Sequence, residues 1–354
     1  MNSPYIITRR RFLQGISGAG AISALTTLEG LGLSQALAQT AGEDYKALVC
    51  IFLFGGNDAN NLIIPRDTAA YNLYSTARGG TSGIAIAQNQ LLPINPKSLT
   101  AGYGLHPSMT GLKTIWDAGK LAVMCNVGTL VEPLTKADYN SAQKAKPEQL
   151  FSHSDQQNQW QAAISNDASR TGWGGRLADV AGALNNSNFP MVTSITGTAL
   201  FTAGNTPRVV AIPSSGSFGL SGFGSGAAAQ ARLAALNNLS NLNSANAFVT
   251  EADDILAQAI GASNTLNPII TATNTTITPI FANARNSIGN QLLQVAKLIE
   301  ARATIGLKRQ IFFVSLGGFD THTNEIATHN TLYGQLGPAM QAFYDATVAM
   351  GIAD

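Results

Sequence analysis

Two apolar runs of the chain end in the same way, with a pair of glycines and then an aspartate: Gly55-Gly56-Asn57-Asp58 and Gly317-Gly318-Phe319-Asp320, the second followed by Thr321-His322. Glycine lets the backbone approach a ligand closely, and an aspartate just beyond it places a carboxylate above the end of the run. Two carboxylates with an imidazole make a ligand set for a divalent cation such as Zn²⁺, Ca²⁺ or Mg²⁺, so Asp58, Asp320 and His322 are the candidate metal ligands. Aspartates that merely cap turns or helix starts have the same spacing, and spacing alone leaves the two readings level.

A third segment, Phe151-Ser152-His153-Ser154-Asp155, packs two hydroxyls, an imidazole and a carboxylate into four residues. His153 is a candidate ligand or general acid/base, Asp155 its orienter or a further ligand, and Ser152 or Ser154 a nucleophile. The plainer alternative is a helix capped by Ser152 or Ser154, with His153 exposed. His106, before Pro107, is read as the end of a loop, and His329 as part of a solvated helix start.

These residues need a scaffold that brings them together. Residues 45–54 and 310–316 are continuous apolar stretches rich in β-branched and aromatic side chains, the pattern of strands buried on both faces. In an open, mostly parallel sheet, ligands bind where the loops leave the carboxyl ends of such strands, which is where both glycine pairs fall. Residues 107–119 have helical spacing and 121–127 read as another buried strand, so that strand, helix and strand suggest a βαβ unit. Helical periodicity recurs at 231–239, 245–260, 288–303 and 332–350. Residues 185–278 are dominated by Asn, Ser, Thr, Ala and Gly and read as an inserted polar cap. The expected fold class is α/β, a mostly parallel sheet with helices on both faces.

A net charge of +1 with 12% charged residues offers no basic surface for nucleic acid. Cys50 and Cys125 both lie in apolar runs; an oxidising compartment permits a disulfide, but two thiols buried on neighbouring strands are expected. The first residues run from Thr8-Arg9-Arg10-Arg11-Phe12-Leu13 into a Gly/Ala-rich apolar stretch and then Ala36-Leu37-Ala38. That order is an export signal of the twin-arginine kind, residues 1–38, cut after Ala38. Its partners would be the Tat translocase and signal peptidase, and the destination the periplasm or the exterior. Glu29 and the glycines argue against a permanent membrane span.

The segments Leu53 to Leu62, Gly104 to Met109, Phe151 to Asp155 with Trp160, and Gly317 to His322 together resemble a bacterial family known as domain of unknown function 1501, in which a twin-arginine signal is usual. That family looks like a distant branch of the alkaline phosphatase and sulfatase superfamily. The resemblance implies an alkaline-phosphatase-like fold over residues 39–354 and metal-dependent hydrolysis of a phosphate or sulfate ester. It makes Asp58 the ligand after the first strand, and puts Asp320 and His322 in the place of an Asp/His ligand pair, with a spacing narrower than the superfamily's. The nucleophile has no clear counterpart; Ser108, Thr129, Ser152 and Ser154 all remain open. Family members usually continue past the helix at 332–350 with another strand, so the chain resembles a truncated member, and an inactive relic is among the expectations. The other functional expectation is a non-catalytic exported protein of the same fold that binds a small molecule or a surface glycan.

Overall fold

A computed structural model describes residues 45–353, except residues 142, 167, 186, 188, 207, 221, 224 and 241–245. The export signal expected at residues 1–38 lies outside the described residues.

The two longest strands are the two apolar runs. Lys46–Leu53 (β1) and Arg309–Leu316 (β7) pair in parallel, from Lys46 opposite Arg309 to Leu53 opposite Leu316. Short strands Val192–Ser194 (β5) and Val209–Ala211 (β6) extend the sheet in the order β1-β7-β5-β6, all parallel. The fold is therefore α/β around a four-stranded parallel sheet. A separate antiparallel sheet, in the order β2-β4-β3, is built from Ile63–Pro65 (β2), Leu92–Ile94 (β3) and Tyr103–Leu105 (β4).

Alternation along β1 and β7 sends side chains to two cores. Val49, Ile51 and Leu53, with Phe312, Val314 and Leu316, face the main core. There they meet helices Thr110–Asp117 (α2), Ser287–Glu300 (α7) and Glu325–Ala349 (α8). Leu48, Cys50 and Phe52, with Ile311 and Phe313, face the opposite side. That side is covered by Ala178 and Ala181 of helix Trp173–Ala181 (α4) and by Phe201, whose ring stacks on Phe313 at 5.3 Å. Each fully buried Phe contributes roughly 1.5–3 kcal/mol, which explains why the central strand tolerates no polar side chain on either face between Ile311 and Val314. The remaining helices used below are Thr68–Ala77 (α1), His153–Ala162 (α3), Ala227–Ser240 (α5) and Ala247–Thr271 (α6).

Several expectations are corrected. Residues 121–127 form no strand: Asn126 sits at φ 59°, which breaks an extended run, and Val123 and Met124 are exposed. The partner of β1 is β7, so no βαβ unit forms with residues 107–119. Residues 185–278 are not wholly an insertion, because β5 and β6 within them belong to the main sheet. The two cysteines do not share neighbouring strands; both are free, with Cys50 half-buried on β1 and Cys125 exposed. Among the described residues no helix is long and apolar enough to cross a membrane.

Candidate metal centre

Because β1 and β7 pair without a register offset, both glycine doublets leave the sheet at the same edge. The ladder continues one step beyond the strands: Phe54 N–H donates to Leu316 O at 2.9 Å and Phe319 N–H donates to Phe54 O at 3.2 Å. Gly55 has φ +107°, and a Cβ there would stand 2.6 Å from the Asp320 nitrogen. Gly56, at φ +86°, has its open side 3.5 Å from His153 Cε1. The first doublet is thus the floor on which the Asp320 backbone and the His153 ring rest. Only glycine combines that φ with that closeness.

Above this floor three side chains converge. His153 Nε2 lies 3.3 Å and His322 Nε2 2.7 Å from the same oxygen, Asp320 Oδ1. One ligand atom from each of the three falls within 4.8 Å of the others, and all three residues are exposed. Tetrahedral Zn²⁺ with bonds of about 2.0–2.2 Å sets neighbouring ligand atoms about 3.3–3.6 Å apart, so the His153–Asp320 spacing fits and the His322–Asp320 contact would have to open by about 0.6–0.9 Å. Two imidazole nitrogens and one carboxylate oxygen suit Zn²⁺; Ca²⁺ and Mg²⁺ prefer oxygen-only shells, so of the three ions expected Zn²⁺ matches the donors best. Three protein ligands would leave a position open to a small molecule.

Asp58, expected as a ligand, stands outside this group. Its carboxylate pairs with Arg78, at the end of α1, and its Oδ1 accepts from Asn60 N–H at 3.0 Å, capping a short turn. Arg78 Nη2 also lies 3.3 Å from Glu325 Oε1 at the start of α8, so one guanidinium holds two carboxylates. The capping alternative for Asp58 is the one realised. Beneath it the Tyr333 hydroxyl donates to Asn57 Oδ1, and burial pushes the Tyr333 pKa up. His329, expected in a solvated helix start, is buried instead: α8 begins at Glu325, a full turn earlier, and rings of Phe319 and Tyr333 enclose the imidazole. Burial lowers its pKa, Arg78 pushes the same way, and Glu325 opposes them. His106 is buried too; burial, then His329, lowers its pKa to about 4.

The segment at 152–155 splits its roles. Ser152 is the N-cap of α3, its Oγ accepting from Asp155 N–H at 3.4 Å. His153 is the first helical residue. Its carboxylate partner is Asp320 and not Asp155, because residues two apart on a helix point away from each other. Asp155 sits in the first turn, where a negative charge favours the helix dipole. Ser154 Oγ lies 3.0 Å from Ser152 Oγ and faces a cleft beside the cluster. Of the other candidate nucleophiles, Thr129 donates to Gln156 Oε1 at 2.6 Å in a buried position, and Ser108 donates to Asn330 Oδ1 at 3.4 Å.

A family model described as "Protein of unknown function (DUF1501)" matches residues 45–352, well over half of the chain. The chain belongs to the DUF1501 family. No curated protein and no solved structure matches it. Within this DUF1501 member, His153, read from the sequence as a candidate ligand or general acid/base, joins Asp320 and His322, whereas Asp58 pairs with Arg78 instead.

Proposed function

We propose that this DUF1501 member is an exported, metal-dependent hydrolase of phosphate or sulfate esters, with His153, Asp320 and His322 holding a divalent ion, best matched by Zn²⁺. The supporting observation is the convergence of two imidazoles on one carboxylate at the carboxyl edge of the sheet, from segments 167 residues apart. With His153, Asp320 and His322 holding it, a divalent ion would supply Lewis acidity, polarising an ester oxygen and lowering the pKa of an attacking hydroxyl. The chain's own residues supply the rest. Ser154 is the hydroxyl nearest in sequence to a ligand that also faces the cleft, and is the candidate nucleophile. The N-terminus of α3, whose first residue is His153, adds a positive dipole end that favours an anionic ester. Export rests on the Arg9-Arg10-Arg11-Phe12-Leu13 segment and places the reaction outside the cytoplasm.

The test is metal analysis of purified protein equilibrated with Zn²⁺, followed by assay with p-nitrophenyl phosphate and p-nitrophenyl sulfate. About one ion per chain, absent from Asp320→Ala, with metal-dependent release of nitrophenol from either ester, is the expected result. A chain that takes up no ion, or an Asp320→Ala chain that keeps it, overturns the reading.

A further inference from the structure

Helix α3 carries Ser154, Gln157, Asn158 and Gln161 at positions i, i+3, i+4 and i+7, which is one face of a helix. All four line a cleft of about 280 Å³ at the carboxyl ends of the strands. Its other side is made by Thr196, Thr198 and Ser315, while Phe54 and Leu200 supply apolar surface. Among the described residues no charged side chain lines it.

Two local features keep this face available. The strand β5 ends at Ser194, so β7 loses its neighbour before its own end; the Gln291 side-chain amide takes over, accepting from Ser315 N–H and donating to Ser315 O, both at 2.9 Å. The Ser315 backbone is thereby satisfied without a strand, and space opens where the strand would have run. On the helix side, Gln161 accepts from Phe201 N–H at 3.1 Å, which fixes its side chain and leaves the amide NH₂ as its remaining polar half.

We propose that this cleft binds a neutral, polyhydroxylated ring, so that the esters turned over at the adjacent centre are sugar phosphates or sugar sulfates. The proposal rests on the hydrolase reading for the ester, but not for the ring. Side-chain amides and hydroxyls each donate and accept, which matches the hydroxyls of a sugar and matches no single charged group. An anion in the cleft would meet no cation, and an alkyl chain would strip water from several amides without replacing their hydrogen bonds, at a cost. Phe54 and Leu200 suit the C–H face of the ring. Pockets for drug-sized ligands span roughly 300–1,000 Å³, so a cleft just below that range holds one ring and not an extended chain. The cleft residues Phe54 and Ser154 are the chain neighbours of Gly55, which packs against Asp320, and of His153, so two stretches of backbone run from the cleft to the centre and set the ring near the ester.

The experiment is calorimetric titration of the full chain with methyl glucoside, methyl galactoside and methyl N-acetylglucosaminide, using cyclohexanol as a ring of similar size with one hydroxyl. Saturable binding of at least one glycoside, with cyclohexanol at least about tenfold weaker, is expected from the loss of several hydrogen bonds. Asn158→Ala and Thr198→Val should each weaken the glycoside about three- to tenfold without moving the thermal melt. Glycoside binding should persist in chelator and in His322→Ala. No saturable glycoside, equal binding of cyclohexanol, or indifference of both variants overturns the proposal. A chain that binds glycoside but no Zn²⁺ instead refutes the metal centre and leaves the cleft standing.

Discussion

The Asp320 backbone nitrogen occupies the place where any side chain on Gly55 would begin: a Cβ built there stands 2.6 Å from that nitrogen and 3.1 Å from the Phe319 carbonyl carbon. The atoms that object are backbone, so they cannot swing aside. Gly55→Ala therefore has to move the segment that carries Asp320 and His322, in addition to the strain of φ +107°. A loss of about 2–5 kcal/mol in stability follows from the sum of backbone strain and overpacking, together with a weakened metal site. Gly56→Ala meets only the His153 ring at 3.5 Å and carries strain alone, about 1–2 kcal/mol. Urea unfolding of the two variants checks the order; a Gly56→Ala protein less stable than Gly55→Ala would refute the packing argument.

The three-residue centre makes a second prediction, through Asp58. His153→Ala and His322→Ala each remove one of three ligands and should lower Zn²⁺ affinity by at least about a hundredfold, more than the loss of an outer-shell partner does. Asp58→Asn should leave that affinity within about threefold, since this carboxylate faces Arg78 and not the cluster. Its effect should appear in stability. Arg78→Ala should cost more, about 3–5 kcal/mol, because it leaves both Asp58 and Glu325 largely buried without a cation. Competition with a chromophoric chelator, paired with urea unfolding, separates the two kinds of loss.

The cysteines give an inexpensive check on the path of the chain. Burial on β1 pushes the Cys50 thiol up to about 12, so almost no thiolate forms at neutral pH. Cys125 is exposed on the irregular segment after α2. Native protein should therefore react quickly with Ellman's reagent at one thiol, Cys125, and yield both only after unfolding. Loss of the fast phase in Cys125→Ser confirms the assignment, whereas a fast Cys50 would mean that β1 is not where the sheet puts it.

Reading these elements from sequence worked where the burial was two-sided and failed where a partner was needed. The apolar runs at β1 and β7 could be recognised because a strand covered on both faces has no polar alternation. Residues 121–127 are also mostly apolar, though without aromatic side chains, yet composition reports apolarity and not the neighbour that a ladder requires; with Asn126 at φ 59°, no strand forms there. The pairing of Lys46 with Arg309 spans most of the chain, and no local pattern encodes such a register. The centre shows the same division. Residue types at 153, 320 and 322 marked candidate groups, but which carboxylate would meet which imidazole depended on that register, and the guanidinium that claims Asp58 sits in a segment with no motif. His329 was misplaced because the helix start was set at its first apolar stripe instead of at Glu325.

The buried pair of histidines beneath the centre makes stability depend on pH. His106 Nδ1 accepts from Ser108 N–H at 3.1 Å, so protonating that nitrogen both breaks the turn and buries a charge next to His329. Its pKa falls from 6.5 in the unfolded chain to about 4 in the fold. Between those values the unfolded state holds more protons than the folded state, so the stabilisation is complete above about pH 6.5 and is lost as pH falls toward 4. The full span corresponds to about 3 kcal/mol, and His329, lowered in the same direction, adds to it. His106→Asn keeps an acceptor for Ser108 N–H and removes the titration. It should lower stability at pH 7.5 through the lost ring packing against Tyr333, whose centroid is 4.8 Å away, and should flatten the decline toward pH 4.5. Urea unfolding of zinc-free wild type and variant across that range isolates the difference, since the two proteins differ only at residue 106. Parallel curves for the two proteins would show that His106 is already able to take up a proton inside the fold.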